Sequence, residues 1–456
     1  MKGKQRQYGL FIVLVALLIW LSGCGLNLKE LAPVEAGPRE SNWRSKLDGD
    51  LHKLIFVEKL NSVPDNISAI GTNGTGSYLY FGSKTEPNLL YVFDLRTNNF
   101  TGIETKVKDH KHSKKGYYDA ASSLNSFTNN PPDETVITSI VSGPKDTAVF
   151  SLTGLLHRQG GVYGTAAHGG VLEIDKNSVT GVWGNIIGSL NSGDAKEIST
   201  IAVVKDSWIA FSSDKNSIGA YRKFGDKLDQ AEEGPTGING DPIGTIVTAS
   251  LGVGTDLYIA YDGFVKLRHT DELEKICVID LGREAQDLID VAKPKDLQIT
   301  QGGSDVIIIN SLGLLGRKLL VGMTSYSQYS GGVAVVDLSL SPFNVIAPPL
   351  EQSGMSIKHI APAKDGMSAL ISTNSKGFIF YADDEMIKIS NHNFQDFTRE
   401  NLSIAQPLLI ENAREASHKG FRPSEVDVGA VQIGDFWYVA TSRHGIFKFQ
   451  YVREKY

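Results

Sequence analysis

From residue 51 onward, short runs of Val, Ile, Tyr, Phe and Leu alternate with clusters of Gly, Asn, Asp and Ser. Runs of that length, bounded by turn formers, predict many short antiparallel strands rather than helices. The runs recur as one unit: an apolar strand, a turn, a strand such as LYFGS, a second turn, and a strand such as YVFDL. Copies begin at Asn66, Ala148, Ser199, Thr245, Val306, Ile357 and Val428. The second and fifth align without gaps over GLLHRQGGVYGT (154–165) and GLLGRKLLVGMT (313–324). A glycine precedes the third strand at Gly170, Gly219, Gly263, Gly332, Gly377 and Gly445, a hairpin position that calls for positive φ or close packing. Asp94, Asp175, Asp280 and Asp337 each close an apolar run, where a turn-forming side chain stops a strand.

Units of this kind cannot bury their faces alone and must stack. Repeats of about 45 residues with three to four strands each predict an all-β, seven-bladed β-propeller, WD40/YVTN-like. A sandwich pair lacks the glycine-punctuated repeat, and β-helix rungs are much shorter. Three long insertions interrupt the repeats, at 101–144, 268–304 and 384–425. The last copy runs to Tyr456 without a fourth strand, and an unassigned apolar run, LHKLIFVEKL (51–60), precedes the first copy. It is expected to supply the outer strand of the last blade and close the ring. The expected organisation is a signal peptide at 1–23, a tether at 24–50 and one propeller domain at 51–456.

The N-terminus carries an address. Lys2, Lys4 and Arg6 precede an apolar run at 10–21. As a helix that run is about 18 Å long, short of a ~30 Å hydrocarbon core, and it fits a signal-peptide core. Leu21, Ser22, Gly23 and Cys24 follow, and this LSGC resembles the bacterial lipobox. The resemblance implies that Cys24 is acylated and becomes the first residue of the mature chain. Several acyl chains at ~0.8 kcal/mol per buried CH₂ anchor stably where one would not. Removal of 1–23 takes away three positive charges and leaves a net charge of −9, so the acyl group, not electrostatics, must hold the bilayer. Gly25 stands where Asp would imply retention at the inner membrane, which suggests the outer membrane. Cys277, in the apolar run 276–279, has no partner once Cys24 is a thioether and reads as a buried small hydrophobe.

Composition narrows the functions. The chain has 456 residues, 41% hydrophobic and 21% charged, with a net charge of −6, so no basic footprint for nucleic acid exists. Two cysteines exclude a disulfide scaffold and a Cys₄ site. No P-loop, HExxH, GxSxG, CxxC or EF-hand loop occurs. His110 and His112 share a face if extended and are weak metal candidates, but Lys106, Lys108, Lys111, Lys114 and Lys115 surround them and repel a cation. Four Asn-x-Ser/Thr sequons occur, at Asn66, Asn73, Asn99 and Asn401.

GGVLEIDKNSVTGVW (169–183) resembles a quinone-type propeller repeat, and GGVAVVDLSLSPFNVI (331–346) is similar to the LVIVD-type repeat of bacterial surface proteins. A lipobox joined to a propeller of the former type also characterises outer-membrane assembly lipoproteins of the BamB kind. The resemblance implies a fold and transfers no binding position. The three insertions and the loop 323–332 are expected on one face, with Tyr117, Tyr118, Tyr326 and Tyr329 as aromatic anchors for a partner. The function expected is a membrane-anchored envelope lipoprotein acting as a non-enzymatic scaffold or binding module. It would hold the bilayer through acylated Cys24, with envelope protein partners and no cofactor. The alternative is a periplasmic propeller hydrolase or lactonase, or a glycan-binding enzyme.

Overall fold

Antiparallel pairing follows directly from the punctuation of the chain, because tight turns return each strand beside its predecessor. The computed structural model describes residues 51–454 apart from 84–89, 103–133, 157–165, 188–197, 213–219, 230–246, 270–288, 294–306 (Leu297 excepted), 326–329, 348–351, 397–407 and a few single or paired positions. Among the described residues the strands form seven sheets. The first holds Ile67–Thr72, Tyr78–Ser83, Leu90–Asp94 and Asn99–Gly102, and the second Glu134–Ser142, Ala148–Leu156, Ala166–Asp175 and Ser178–Ile187. The third holds Ile198–Val204, Ser207–Ser212, Ala220–Phe224 and Lys227–Asp229; the fourth, Ala249–Val253, Asp256–Tyr261, Phe264–His269 and Ile289–Ala292. In the fifth, Ile307–Leu315, Lys318–Ser325, Ser330–Asp337 and Asn344–Ala347 follow one another, and Gln352–Ser353 pairs with the third strand. The sixth is Ile357–Pro362, Ser368–Thr373, Phe378–Ala382 and Glu385–Ile389. The seventh runs Gly429–Ile433, Phe436–Thr441, Gly445–Glu454, then Leu51–Lys59, then Leu408–Glu411. The chain is all-β, a repeat fold of the β-propeller type.

By internal contacts the chain divides into two units. Lys53–Asp396 with Ile410–Val452 carries the sheets. The other unit, Met1–His52, Phe397–Leu409 and Arg453–Tyr456, contributes only strand ends to the described residues.

The core lies between the faces of consecutive sheets. Tyr80 of sheet one packs with Phe150 of sheet two, ring centroids 5.6 Å apart and edge to face. Val149 and Val171 of sheet two cluster with Trp208 of sheet three, and Leu267 of sheet four with Leu319 of sheet five. Val333 of sheet five clusters with Ile371 of sheet six, and Ile446 of sheet seven with Phe81 of sheet one. Strands covered on both faces have no polar side to keep. Tyr78–Ser83 and Ser368–Thr373 are buried at every position; YLYFGS reads as a nearly continuous apolar run, whereas SALIST buries the polar Ser368, Ser372 and Thr373 as well.

The expected insertions contain strands. Glu134–Ser142 begins the second sheet, so the repeat assigned from Ala148 starts on that sheet's second strand. The gapless alignment of 154–165 with 313–324 therefore matches the end of a second strand to the end of a first strand. Both ends are apolar and glycine-bearing, and composition alone does not distinguish an inner strand from its neighbour. Asn99–Gly102, Ile289–Ala292 and Glu385–Ile389 are likewise the fourth strands of sheets one, four and six.

Of the expected hairpin glycines, Gly377 and Gly445 take positive φ, whereas Gly170 and Gly332 lie inside the strands Ala166–Asp175 and Ser330–Asp337, because those strands begin before the glycine. Gly377 has φ +104, and a Cβ there would stand 1.9 Å from the Ile389 carbonyl oxygen. Gly445 has φ +79. Asp94 accepts a hydrogen bond from the Arg96 amide (2.9 Å) and Asp337 from the Ser339 amide (2.8 Å), each turning the chain at a strand end. Asn73, read as a sequon, is fully buried: its Nδ2 donates to Asp146 at 2.9 Å and its Oδ1 accepts from the Ser77 and Tyr78 amides. It staples sheet one to sheet two.

Candidate functional site

Five first strands carry one short pattern: ISAI (67–70), ITSI (137–140), ISTI (198–201), INSL (309–312) and IKHI (357–360). In each the isoleucine is buried, and the register with the second strand skips the residue after it. Ser68, Thr138, Ser199, Asn310 and Lys358 are thus the extra residues of five equivalent β-bulges, a device that re-aims side chains and bends a strand. VTAS (247–250) is the corresponding segment of sheet four, where the Thr248 amide bonds to Ala260 O at 2.9 Å.

These segments converge on a cavity of about 370 Å³. Its lining draws on the first-strand segments of sheets one to six, from Ala69 to Pro362, and on Val428, just before the first strand of the seventh. The first strand of each sheet packs against that of the next, and the first strand of sheet seven against that of sheet one. Ile140, Ile201, Leu312 and Ile360 contribute apolar wall, and Thr138, Ser139, Thr200 and Asn310 polar wall.

Most polar lining groups are engaged between or within sheets. Ser199 Oγ donates to Val247 O at 2.6 Å, and Thr200 and Ser250 share a hydroxyl bond of 3.0 Å, joining sheets three and four. Asn310 Nδ2 donates to Ile357 O at 3.0 Å, and the Ile360 amide donates to Ser311 Oγ at 2.9 Å, joining sheets five and six. Sheet one receives a bond from sheet two, Ser142 Oγ to Thr72 O at 2.8 Å. A bulged strand leaves irregular backbone groups, and these side chains satisfy them.

Two residues of IKHI differ. Lys358 is exposed, and no hydrogen bond or ion pair engages it among the described residues. His359 is half-buried, its Nδ1 buried without a hydrogen-bond partner, and its ring lies where a Cβ at Gly429 would approach to 3.2 Å. Burial lowers the His359 pKa to about 4, so the imidazole is neutral at pH 7. In the unfolded chain a histidine titrates near 6.5. The native state therefore takes up the proton less readily, and the associated stability, complete above that pH, is lost as pH falls from about 6.5 towards about 4. Between pH 7 and 5 this linkage costs about 2 kcal/mol. In urea titrations, His359→Gln should narrow the stability difference between those pH values by about that amount. An unchanged difference would reject the assignment.

The residues singled out from sequence as a site, Cys24, His110, His112, Tyr117, Tyr118, Tyr326 and Tyr329, lie outside the described residues, as does Cys277. Of the three segments expected to carry the partner face, 384–425 is the most fully described. Part of its described stretch is used in packing: the helix Ala413–His418 leads to Phe421, whose ring centroid lies 5.0 Å from those of both Phe447 and Phe449. The cavity residues were missed, although the repeated Ile-polar-x-Ile/Leu tetrapeptide was a readable signal. Each tetrapeptide looks like an ordinary strand until the bulge register is known. Among the described residues no three His, Cys, Asp or Glu side chains gather as a metal-ligand set.

Among the described residues, seven small sheets whose first strands pack one against the next around a partly polar cavity define a repeat protein of the β-propeller class. No family model matches the chain, and no curated protein matches it. Solved structures align with it at low identity and with TM-scores below 0.5. The extracellular domain described for a hybrid two-component system of B. thetaiotaomicron is 13% identical with a TM-score of 0.43, over 88% of this chain and 40% of that one. This chain thus spans about two fifths of that protein's length. The structure of U3-55K is 10% identical with a TM-score of 0.48, over 87% of this chain and 98% of that one. A chain of the mitotic checkpoint complex is 6% identical with a TM-score of 0.45, over 86% of this chain and 90% of that one. Among the described residues no helix is long and apolar enough to cross a membrane.

Proposed function

We propose that this chain is a closed seven-bladed β-propeller, tethered to the outer membrane through acylated Cys24, that serves the cell envelope as a non-enzymatic binding scaffold. The ring is supported by the succession of first strands, each against the next and the seventh against the first. The placement of Leu51–Lys59 beside Gly445–Glu454 supports closure by the chain's own N-terminal strand. The anchor rests on the LSGC pattern and the short apolar run before it.

One observation carries the scaffold reading. The polar side chains at the cavity are largely committed to sheet-to-sheet bonds, Ser199 to Val247 and Asn310 to Ile357 among them. Groups held this way stiffen a platform, and a rigid platform lets long surface segments present contacts at low entropic cost.

The test has two parts. Cys24→Ala is expected to abolish incorporation of labelled fatty acid and to move the protein from the membrane fraction to the soluble one. Replacing 103–133 by a Gly-Ser linker should preserve the melting temperature, because the flanking strands Asn99–Gly102 and Glu134–Ser142 stay intact and loop entropy grows only logarithmically. That variant, and Tyr326→Ala with Tyr329→Ala, should lose the envelope protein recovered with wild type by cross-linking in membranes. Membrane retention and undiminished acylation of Cys24→Ala would reject the anchor. Unchanged cross-links in both other variants would reject these segments as the partner face.

A further inference from the structure

We propose that the cavity where the first strands converge binds a small organic oxyanion, a carboxylate or phosphate group on an apolar body, with Lys358 as its counter-charge. The inference goes beyond the scaffold reading and does not depend on the anchor.

The bulge position is the starting point. Thr138, Ser199, Thr248 and Asn310 occupy it in four sheets and spend their side chains on the protein itself. Lys358 occupies the same position in sheet six with an ammonium group and no protein partner among the described residues. Among the described residues no lining residue is Asp or Glu, so none of them supplies this ammonium with a counter-ion in the cavity wall. A cation is repelled there, and a neutral polyol gains no charge term.

Spare hydroxyl protons complement that charge. Ser311 Oγ accepts from the Ile360 amide, which leaves its own proton for another acceptor. Thr200 and Ser250 share one hydrogen bond, and whichever of them accepts keeps its proton free. An ionised carboxylate or phosphate oxygen accepts from all of these, and such charge-assisted bonds are the strong ones. Ile140, Ile201, Leu312 and Ile360 supply apolar wall, which strengthens the field of the ammonium by displacing water and suits the body of an organic acid. About 370 Å³ is the volume of a metabolite-sized site.

The experiment is isothermal titration of the full chain in detergent with butyrate, inorganic phosphate and glucose, in low and high NaCl. Saturable binding of butyrate or phosphate is expected, weakened by salt, and the two arms distinguish a carboxylate site from a phosphate site. Lys358→Gln should weaken that binding at least tenfold at an unchanged melting temperature, and Lys358→Arg should retain most of it. Thr200→Val should weaken it several-fold, a readout independent of Lys358. The His359 imidazole resonances should shift with the bound anion in wild type. No saturable binding of either anion, equal binding by Lys358→Gln, or glucose bound as tightly as both anions would each overturn the assignment.

Discussion

Deleting 51–60 is expected to lower the melting temperature far more than deleting 27–50, and to release the seventh sheet from its neighbours. Leu51–Lys59 lies inside that sheet, with Gly445–Glu454 on one side and Leu408–Glu411 on the other. Leu54, Phe56 and Leu60 are 2%, 2% and 5% exposed. Phe56 meets Phe449 edge to face at 5.6 Å, and the Leu60 amide donates to Ile446 O at 2.9 Å. Burial of three such side chains contributes roughly 5–9 kcal/mol. That is a large share of a typical total of about 5–15 kcal/mol. Thermal melts by circular dichroism on the two truncations provide the check. Equal melting temperatures would mean the strand is dispensable and the ring closes some other way.

Phe421→Ala is expected to cost about 3–5 kcal/mol, the range for removing a fully buried aromatic side chain. Phe421 is 0% exposed. Local chemistry delivers it there. The helix Ala413–His418 ends at Gly420, φ +97, whose left-handed conformation lets the Phe421 amide reach Ala416 O at 2.9 Å and the Gly420 amide reach Ser417 O at 3.1 Å. The residue after such a cap turns back onto the core, and Phe421 enters between Phe378, Phe394, Phe447 and Phe449. Phe394 is only half-buried, so Phe394→Ala should cost less than half as much. Urea denaturation of both variants measures the difference. Similar losses would show that the cluster is not centred on Phe421.

Repetition was legible from residues alone. Apolar runs such as YLYFGS and FWYVAT, each bounded by turn formers, announce strands because solvent-facing polar positions are missing from strands covered on both sides. The strand that precedes the first repeat was legible for the same reason, since LHKLIFVEKL is apolar and belongs to no complete repeat, but it is not the outer strand expected: Leu408–Glu411 pairs on its far side. The hairpin glycines Gly377 and Gly445 were legible because positive φ excludes most side chains.

What the tertiary structure decided was which strand comes first in a sheet and which side chains face the cavity. Glu134–Ser142 was hidden inside a segment read as an insertion, since its residues ETVITSIVS suit an inner or an outer strand equally. Lys358 and His359 gained their setting from a bulge, a one-residue slip in pairing with Ser368–Thr373 that no local propensity encodes. Period and punctuation are properties of a chain, so the sequence by itself determined the all-β repeat and most of its strands, but not those hidden in the segments read as insertions. Convergence of IKHI with ITSI, ISTI and INSL on one cavity depends on contacts between strands far apart along the chain. Only the packing of sheet against sheet could decide that, because each tetrapeptide buries its isoleucine and turns its polar residue aside according to the neighbour it meets.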